Sequence, residues 1–316
     1  MSRLWIALLL ASSLFSTAPL AAQSAKPRSK TQSTGNAAGV TTITSFDKDH
    51  TVIGWLEIVP FESKILHNKR MLRVLVPANY FSPHNAHRSY PVLYLQDGQN
   101  LFDEASSPQG EWHVDETVEH LVGGFKIPPM FVVGIDNAGD ARSSEYLPYP
   151  DPLNDKHGAA DLNLQGKEYA RFLTTEVMPF IEKRYRIARG AMNTGIGGSS
   201  YGGVITLYTA LQYPTVFGHL LVESPELRVG KNQLLKDSEQ AKLLPGKIYI
   251  GVGTKEGGNP IQNTQMVDQV RDLEAILVKK GLGASRLRVA IEEGGKDEEA
   301  AWSRRLPDAL LFLYGQ

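Results

Sequence analysis

The chain contains no cysteine among its 316 residues. That absence excludes a disulfide framework, thiol catalysis, thiolate metal sites and a cysteine-anchored lipid. Charge of one sign is also missing, since Lys+Arg number 33 against Asp+Glu 34. The balance removes any electrostatic reason to expect nucleic acid and excludes an acidic or basic disordered tail protein. Past the N-terminus, no window approaches the roughly 20 apolar residues that a membrane span requires. Of eight histidines the last is His219, so no imidazole is supplied by any later segment.

What is present begins with a leader-like segment. Met1 to Ala22 carries one basic residue, Arg3, then an apolar run from Leu4 to Leu10 that weakens through Leu14 and Phe15. Small residues follow at Ala18 and Ala21-Ala22. The pattern predicts a signal peptide over residues 1–22, too short and interrupted to span a membrane and removed by cleavage after Ala22. Residues 23–46 are rich in Ser, Thr, Gly and Lys without periodicity and are expected to form a flexible linker. Residues 47–316 then make one domain. An exported, cysteine-free chain suits a bacterial periplasm or the exterior, with no membrane association after cleavage.

Within the domain, apolar runs predict strands at Thr51–Val59, Met71–Val76, Tyr90–Leu95, Met130–Ile135, Gly195–Gly198, Leu220–Glu223, Lys247–Val252 and Leu287–Ile291. Helical stripes lie between them. Tyr169, Phe172, Leu173, Phe180 and Ile181 share one face, as do Met266, Val270, Leu273 and Leu277, and Trp302, Leu306 and Leu310. Strands alternating with helices imply an α/β fold, a mostly parallel twisted sheet covered on both faces.

The strongest motif is Gly198-Ser199-Ser200-Tyr201-Gly202, a G-x-S-x-G followed by Gly203. A sharp strand-to-helix turn needs small residues on both sides of the serine, and it lifts the hydroxyl above the sheet at a helix N-terminus. A plain glycine-rich turn is the alternative for the motif in isolation. The strand before it and the helical run Val204–Leu211 after it favour the nucleophile elbow. Dinucleotide and phosphate-loop readings fail, because no third glycine or Lys-Ser/Thr pair completes either pattern.

At these residues the sequence resembles the esterase branch of the α/β-hydrolases, which includes enterochelin-type siderophore esterases and relatives of feruloyl esterases. The resemblance runs from about Val52 to the C-terminus. It is carried by Tyr90-Pro91-Val92-Leu93-Tyr94-Leu95-Gln96-Asp97-Gly98-Gln99-Asn100-Leu101-Phe102-Asp103, by Val133-Gly134-Ile135-Asp136-Asn137, and by Arg142 with Glu145-Tyr146. The serine elbow, Ser224-Pro225, Val252-Gly253-Thr254-Lys255-Glu256-Gly257 and Glu293-Gly294-Gly295 ahead of Trp302 complete it.

The resemblance implies an α/β-hydrolase fold and a site. Ser200 matches the nucleophile, and the backbone N–H groups of Tyr201 and Gln99 match the oxyanion donors. Glu256 matches the acidic member in the order Ser…Asp/Glu…His, with a solvated loop carboxylate as its alternative. Arg142, Glu145 and Tyr146 fall where pocket walls form in open α/β sheets, or else make a structural ion pair. A small-molecule ester is the implied partner, and no cofactor or metal is expected.

One position departs from the family. The frame set by Gly294-Gly295, Glu299 and Trp302 puts Asp297 where the family has its catalytic histidine. With an ordinary pKa of about 3.9, aspartate is a poor base toward a serine hydroxyl. It also cannot present the positive charge of imidazolium to an oxyanion. In another serine hydrolase, loss of the histidine costs on the order of 10⁶ in turnover, leaving roughly 10³–10⁴ over water. Beside Glu256, two carboxylates would repel and one pKa would rise. Other histidines substitute poorly. His219 is expected at the wrong end of its strand, and His84 and His87 sit in a polar loop. His113 and His120 share a helix face without the His-Glu-x-x-His zinc pattern. His157, in the loop Pro148–Gln165, is the remaining stand-in. Two readings follow: a serine esterase with an altered base, or a non-catalytic relative that binds an ester, acyl ligand or protein partner. Acyl transfer would use the same residues.

Overall fold

The computed structural model describes residues 39–150 and 163–315. The expected signal peptide, most of the expected linker and His157 lie outside them.

Among the described residues, nine strands form one sheet: β1 (Thr41–Thr44), β2 (Trp55–Glu62), β3 (Lys69–Val76), β4 (Val92–Gln96), β5 (Phe131–Ile135), β6 (Thr194–Ser199), β7 (His219–Glu223), β8 (Lys247–Gly253) and β9 (Leu287–Glu292). Their spatial order is β1-β2-β3-β5-β4-β6-β7-β8-β9. The first three pair antiparallel, and β3 meets β5 antiparallel. From β5 to β9 every neighbour is parallel. The sequence pattern located all the parallel strands to within about two residues. It misread Thr41–Thr44, which pairs with β2 from Thr41↔Ile58 to Thr44↔Trp55 where a linker was expected. An edge strand is held by backbone hydrogen bonds along one side, so its polar threonines carry no burial signal.

Eight α-helices of the described residues flank the sheet: α1 (Val114–Gly123), α2 (Arg142–Tyr146), α3 (Gly166–Phe172), α4 (Met178–Arg184), α5 (Tyr201–Gln212), α6 (Val229–Gln240), α7 (Pro260–Lys279) and α8 (Glu299–Tyr314). Side-chain alternation along the strands divides the core into two layers. Val92 and Tyr94 of β4 and Ile248 and Ile250 of β8 pack with α3, α4, α5 and α7. Leu93 and Leu95 of β4 and Tyr249 of β8 pack with α1 and α8 on the opposite face. Burial on both faces is why these strands read as continuous apolar runs. The topology matters for function because residues just past the carboxyl ends of β4 to β9 converge on one edge.

Candidate active site

The elbow is built by steric exclusion. Ser200 has φ 54 and ψ −122 between the end of β6 and the start of α5. A non-glycine residue holds such a conformation only where its surroundings enforce it. A Cβ on Gly198 would lie 2.7 Å from the Gly202 carbonyl oxygen, and one on Gly203 would lie 2.9 Å from that of Glu223. The Ser200 N–H donates to the Glu223 carbonyl at 3.0 Å, tying the turn to β7.

Asp297 is at the serine. Ser200 and Asp297 line the same cavity, and the serine is among the groups that lower the Asp297 pKa. The loops after β8 and β9 are cross-tied: Thr254 N–H donates to the Glu292 carbonyl at 3.0 Å and Lys255 N–H to that of Gly295 at 2.8 Å. Only glycine permits this approach at Gly253, where a Cβ would fall 2.2 Å from the Gly295 oxygen. Asp297 reaches solvent through the open cleft, yet protein crowds its remaining sides. That desolvation pushes its carboxyl up to about 6, against the opposing pull of Ser200 and of Arg142, Arg305 and Arg228.

Glu256 stands behind, with its side chain 0% exposed. Its Oε1 accepts from the Ser224 hydroxyl at 2.6 Å and from the Gly253 N–H at 2.6 Å. Its Oε2 is buried with no hydrogen-bond partner among the described residues. Burial is the main cause that pushes this carboxyl up to about 7, and the charge of Asp297 pushes the same way. The expected mutual repulsion is therefore present, but as a lesser contribution than burial.

A network that sequence reasoning missed supports these loops. Arg305 on α8 donates to Glu223 Oε2 at 2.8 Å and to Glu292 Oε2 at 2.6 Å. It also reaches Ser224 Oγ at 3.3 Å, where Trp302 Nε1 donates at 2.9 Å. Room for the Glu223 carboxylate comes from Gly251, whose Cβ would lie 2.1 Å from Glu223 Oε2. The glutamate ending β7 and the arginine on the last helix are 82 residues apart, and no local pattern links them.

The cleft holds a cavity of about 400 Å³ lined by Gln99, Trp112, Arg142, Ser200, Asp297 and Trp302, among others. Arg142 makes a two-pronged pair with Asp97, at 2.7 and 2.8 Å, and lines this wall. Gln99 follows the left-handed Asp97 (φ 57) and lines the cavity, with its carbonyl accepting from the Ser106 and Ser107 hydroxyls. Tyr201 opens α5 beside the serine. Glu145 and Tyr146 do not line the cavity. Glu145 is buried against Arg70 (2.8 Å) and Asn68 (2.6 Å), and the buried Tyr146 hydroxyl accepts from the Asp97 N–H at 3.2 Å. They brace the wall from behind, which is the structural alternative for that segment.

The described histidines stay away from Ser200. His219 begins β7 at the opposite end of the strand, is buried, and meets the Met192 carbonyl at 3.0 Å. Burial lowers its pKa. His84 lies in the short turn Pro83–Asn85 with His87 exposed just after it. His113 holds the N-cap position of α1 without a side-chain capping bond, beside Glu111 and Glu116.

Comparison with known proteins gives a consistent family and fold. A family model described as "Putative esterase" matches residues 63–313. Protein YbbA of Bacillus subtilis, itself described as uncharacterized, is 26% identical over 232 residues, covering 72% of this chain and 86% of that protein. The crystal structure of an IroE-like serine hydrolase from Shewanella oneidensis superposes with a TM-score of 0.65 at 17% identity, over 82% of this chain and 80% of that one. The enterobactin esterase FES from Shigella flexneri, in the presence of enterobactin, superposes with a TM-score of 0.62 at 19% identity, over 82% of this chain and 58% of that one. At these identities the two structures establish the α/β fold.

Proposed function

The chain belongs to the esterase family so described, and from that premise we propose that it is a serine hydrolase of carboxylic esters in which Asp297 takes the place of the family base. The observation that carries this reading is that Ser200, held in a strained elbow, and Asp297 line one cavity, with the serine acting on the carboxyl's pKa. As Ser200 Oγ attacks the ester carbonyl, its proton passes to Asp297, which becomes a neutral acid while the negative charge moves to the carbonyl oxygen. The N–H groups of Tyr201 and Gln99 receive that charge. Asp297 then returns the proton to the leaving alcohol, and water repeats the cycle on the acyl-serine. Glu256, neutral below about 7, adds no second negative charge.

This chemistry is weaker than the histidine version. Crowding brings the basicity of Asp297 toward that of an imidazole, but protonated aspartate has no positive charge with which to stabilise the oxyanion. The missing charge favours a second reading, a relative that binds an ester or acyl ligand without turning it over. Trp112 and Trp302 on the cavity wall would offer aromatic faces to an acyl group such as a feruloyl or siderophore ester. Export to the periplasm or exterior belongs to the proposal too, carried by the sequence of residues 1–22. Cleavage after Ala22 and recovery in the soluble exported fraction are the expected results.

The test is hydrolysis of p-nitrophenyl acetate and butyrate by the wild type, Ser200→Ala and Asp297→His. Wild-type turnover should exceed that of Ser200→Ala, and Asp297→His should raise it by about 10²-fold or more, the usual worth of a matched general base. Equal rates for wild type and Ser200→Ala would overturn the esterase reading and leave the binding one.

A further inference from the structure

Away from Ser200, the segment Glu111-Trp112-His113-Val114-Asp115-Glu116 gathers carboxylates around one imidazole at the start of α1. His113 Nδ1 lies 3.3 Å from Glu116 Oε1 and 3.6 Å from Glu111 Oε2. All three ligand atoms fall within 4.8 Å of one another. A tetrahedral zinc ion with bonds of about 2.0–2.1 Å to nitrogen and oxygen places its ligand atoms about 3.4 Å apart. The two distances at His113 match that edge.

A second observation is independent of the spacing. The Glu111 side chain is 1% exposed; its Oε2 accepts from the Thr51 hydroxyl at 2.9 Å, and its Oε1 has no hydrogen-bond partner. Asp115, buried beside it, has an unpartnered Oδ1, and Glu116 has a buried, unpartnered Oε2. Among the described residues, no lysine or arginine pairs with Glu111, Asp115 or Glu116. Natural proteins rarely bury carboxylates without such a partner.

We propose that Glu111, His113 and Glu116 bind a divalent transition-metal ion of zinc type, with open positions toward solvent because the His113 side chain is 51% exposed. Mixed imidazole and carboxylate donors suit zinc and its neighbours better than magnesium or calcium. The expectation of a metal-free chain, drawn from the missing His-Glu-x-x-His pattern, looked at His113 with His120 and overlooked the flanking glutamates. The ion would tie the start of α1 to the preceding segment, whose Pro108, Gln109 and Trp112 line the catalytic cavity. Its role there is structural, pinning a wall, and it takes no part in the chemistry at Ser200.

The test uses the full chain, stripped with EDTA and titrated calorimetrically with ZnCl₂, and separately with Co²⁺ followed by visible absorption. One Zn²⁺ per chain is expected, with a melting temperature raised by about 5 °C at a hundredfold excess over Kd. The Co²⁺ spectrum should be that of a four-coordinate site. His113→Ala and Glu116→Gln should each weaken binding by on the order of 100-fold, beyond what outer partners of a metal contribute. Glu111→Gln should abolish the thermal response while leaving the stripped protein as stable as before or more so. His120→Ala should change nothing. The proposal is overturned by the absence of saturable binding, which would leave a shared proton or an imidazolium ion pair in its place. Binding unchanged in His113→Ala and Glu116→Gln, or lost in His120→Ala, would overturn it as well.

Discussion

Two glutamates at nearly the same depth behave differently. Glu145, 1% exposed, is held by the Arg70 guanidinium at 2.8 Å and the Asn68 amide at 2.6 Å, with Arg70 also 1% exposed. Glu256, 0% exposed, has a hydroxyl and a backbone N–H on one oxygen and a guanidinium no nearer than 3.8 Å, and in both glutamates the second oxygen has no donor. The first is a strut, charged and paired. The second carries a carboxyl pushed up to about 7 by burial, so it exchanges its proton within the working pH range. Burial alone does not decide what a carboxylate does. The nearest cation does: the paired carboxylate braces the cavity wall from behind, while the loosely paired one accepts from Ser224 and feels the charge of Asp297.

That contrast can be broken at its stronger end. Arg70→Ala should destabilise the fold by about 3–5 kcal/mol, because Glu145 would be left charged, buried and unpaired. Chemical denaturation would measure it, and Arg70→Met combined with Glu145→Leu should recover most of the loss, as replacement of a buried pair by apolar residues often does. A single-variant loss below about 1 kcal/mol would mean that Glu145 needs no cation and that the comparison with Glu256 is empty.

A smaller effect is expected at the other end. Glu256→Gln keeps the Oε1 acceptor and should change stability by about 1 kcal/mol or less near pH 6, the usual scale for one hydrogen-bonded group. The sign then depends on pH. A carboxyl whose folded pKa is raised stabilises the fold below its unfolded pKa and loses that contribution as pH rises through the folded value. Wild-type stability should therefore fall relative to Glu256→Gln between about pH 5 and pH 8. Melting curves at those two pH values would check this, and a constant difference would show that Glu256 does not titrate there.

Much of this was legible in the sequence because the fold speaks through burial. Strands covered on both faces must be apolar, so Val92–Gln96 and Lys247–Gly253 were visible as runs. The elbow was visible because steric crowding at Gly198 and Gly203 admits little else. The frame of neighbours pointed to Asp297, and the loop after β9 that carries it is fixed by its close approach to Gly253. The Arg305 network, the Asp97–Arg142 pair and the Glu111–His113–Glu116 cluster carried weaker marks. Charged residues on helices and strand ends look alike whether solvated or paired across the fold. Their partners are set by packing, which one sequence does not display. The environment of Asp297 was hidden for the same reason. An ordinary aspartate is too weak a base, and only the crowded cleft raises it.

The central claim, that position 297 holds a carboxylate made basic by its surroundings and acting on Ser200, is tested most directly by the pH–rate profile of p-nitrophenyl acetate hydrolysis, with the Ser200→Ala background subtracted. The account predicts a rate that rises with pH through an inflection at about 6, as Asp297 ionises, and that flattens or falls above about 7 as Glu256 ionises beside it. An inflection at or below the ordinary aspartate value of about 3.9, or a Ser200-dependent rate that climbs with hydroxide and shows no inflection, would contradict it.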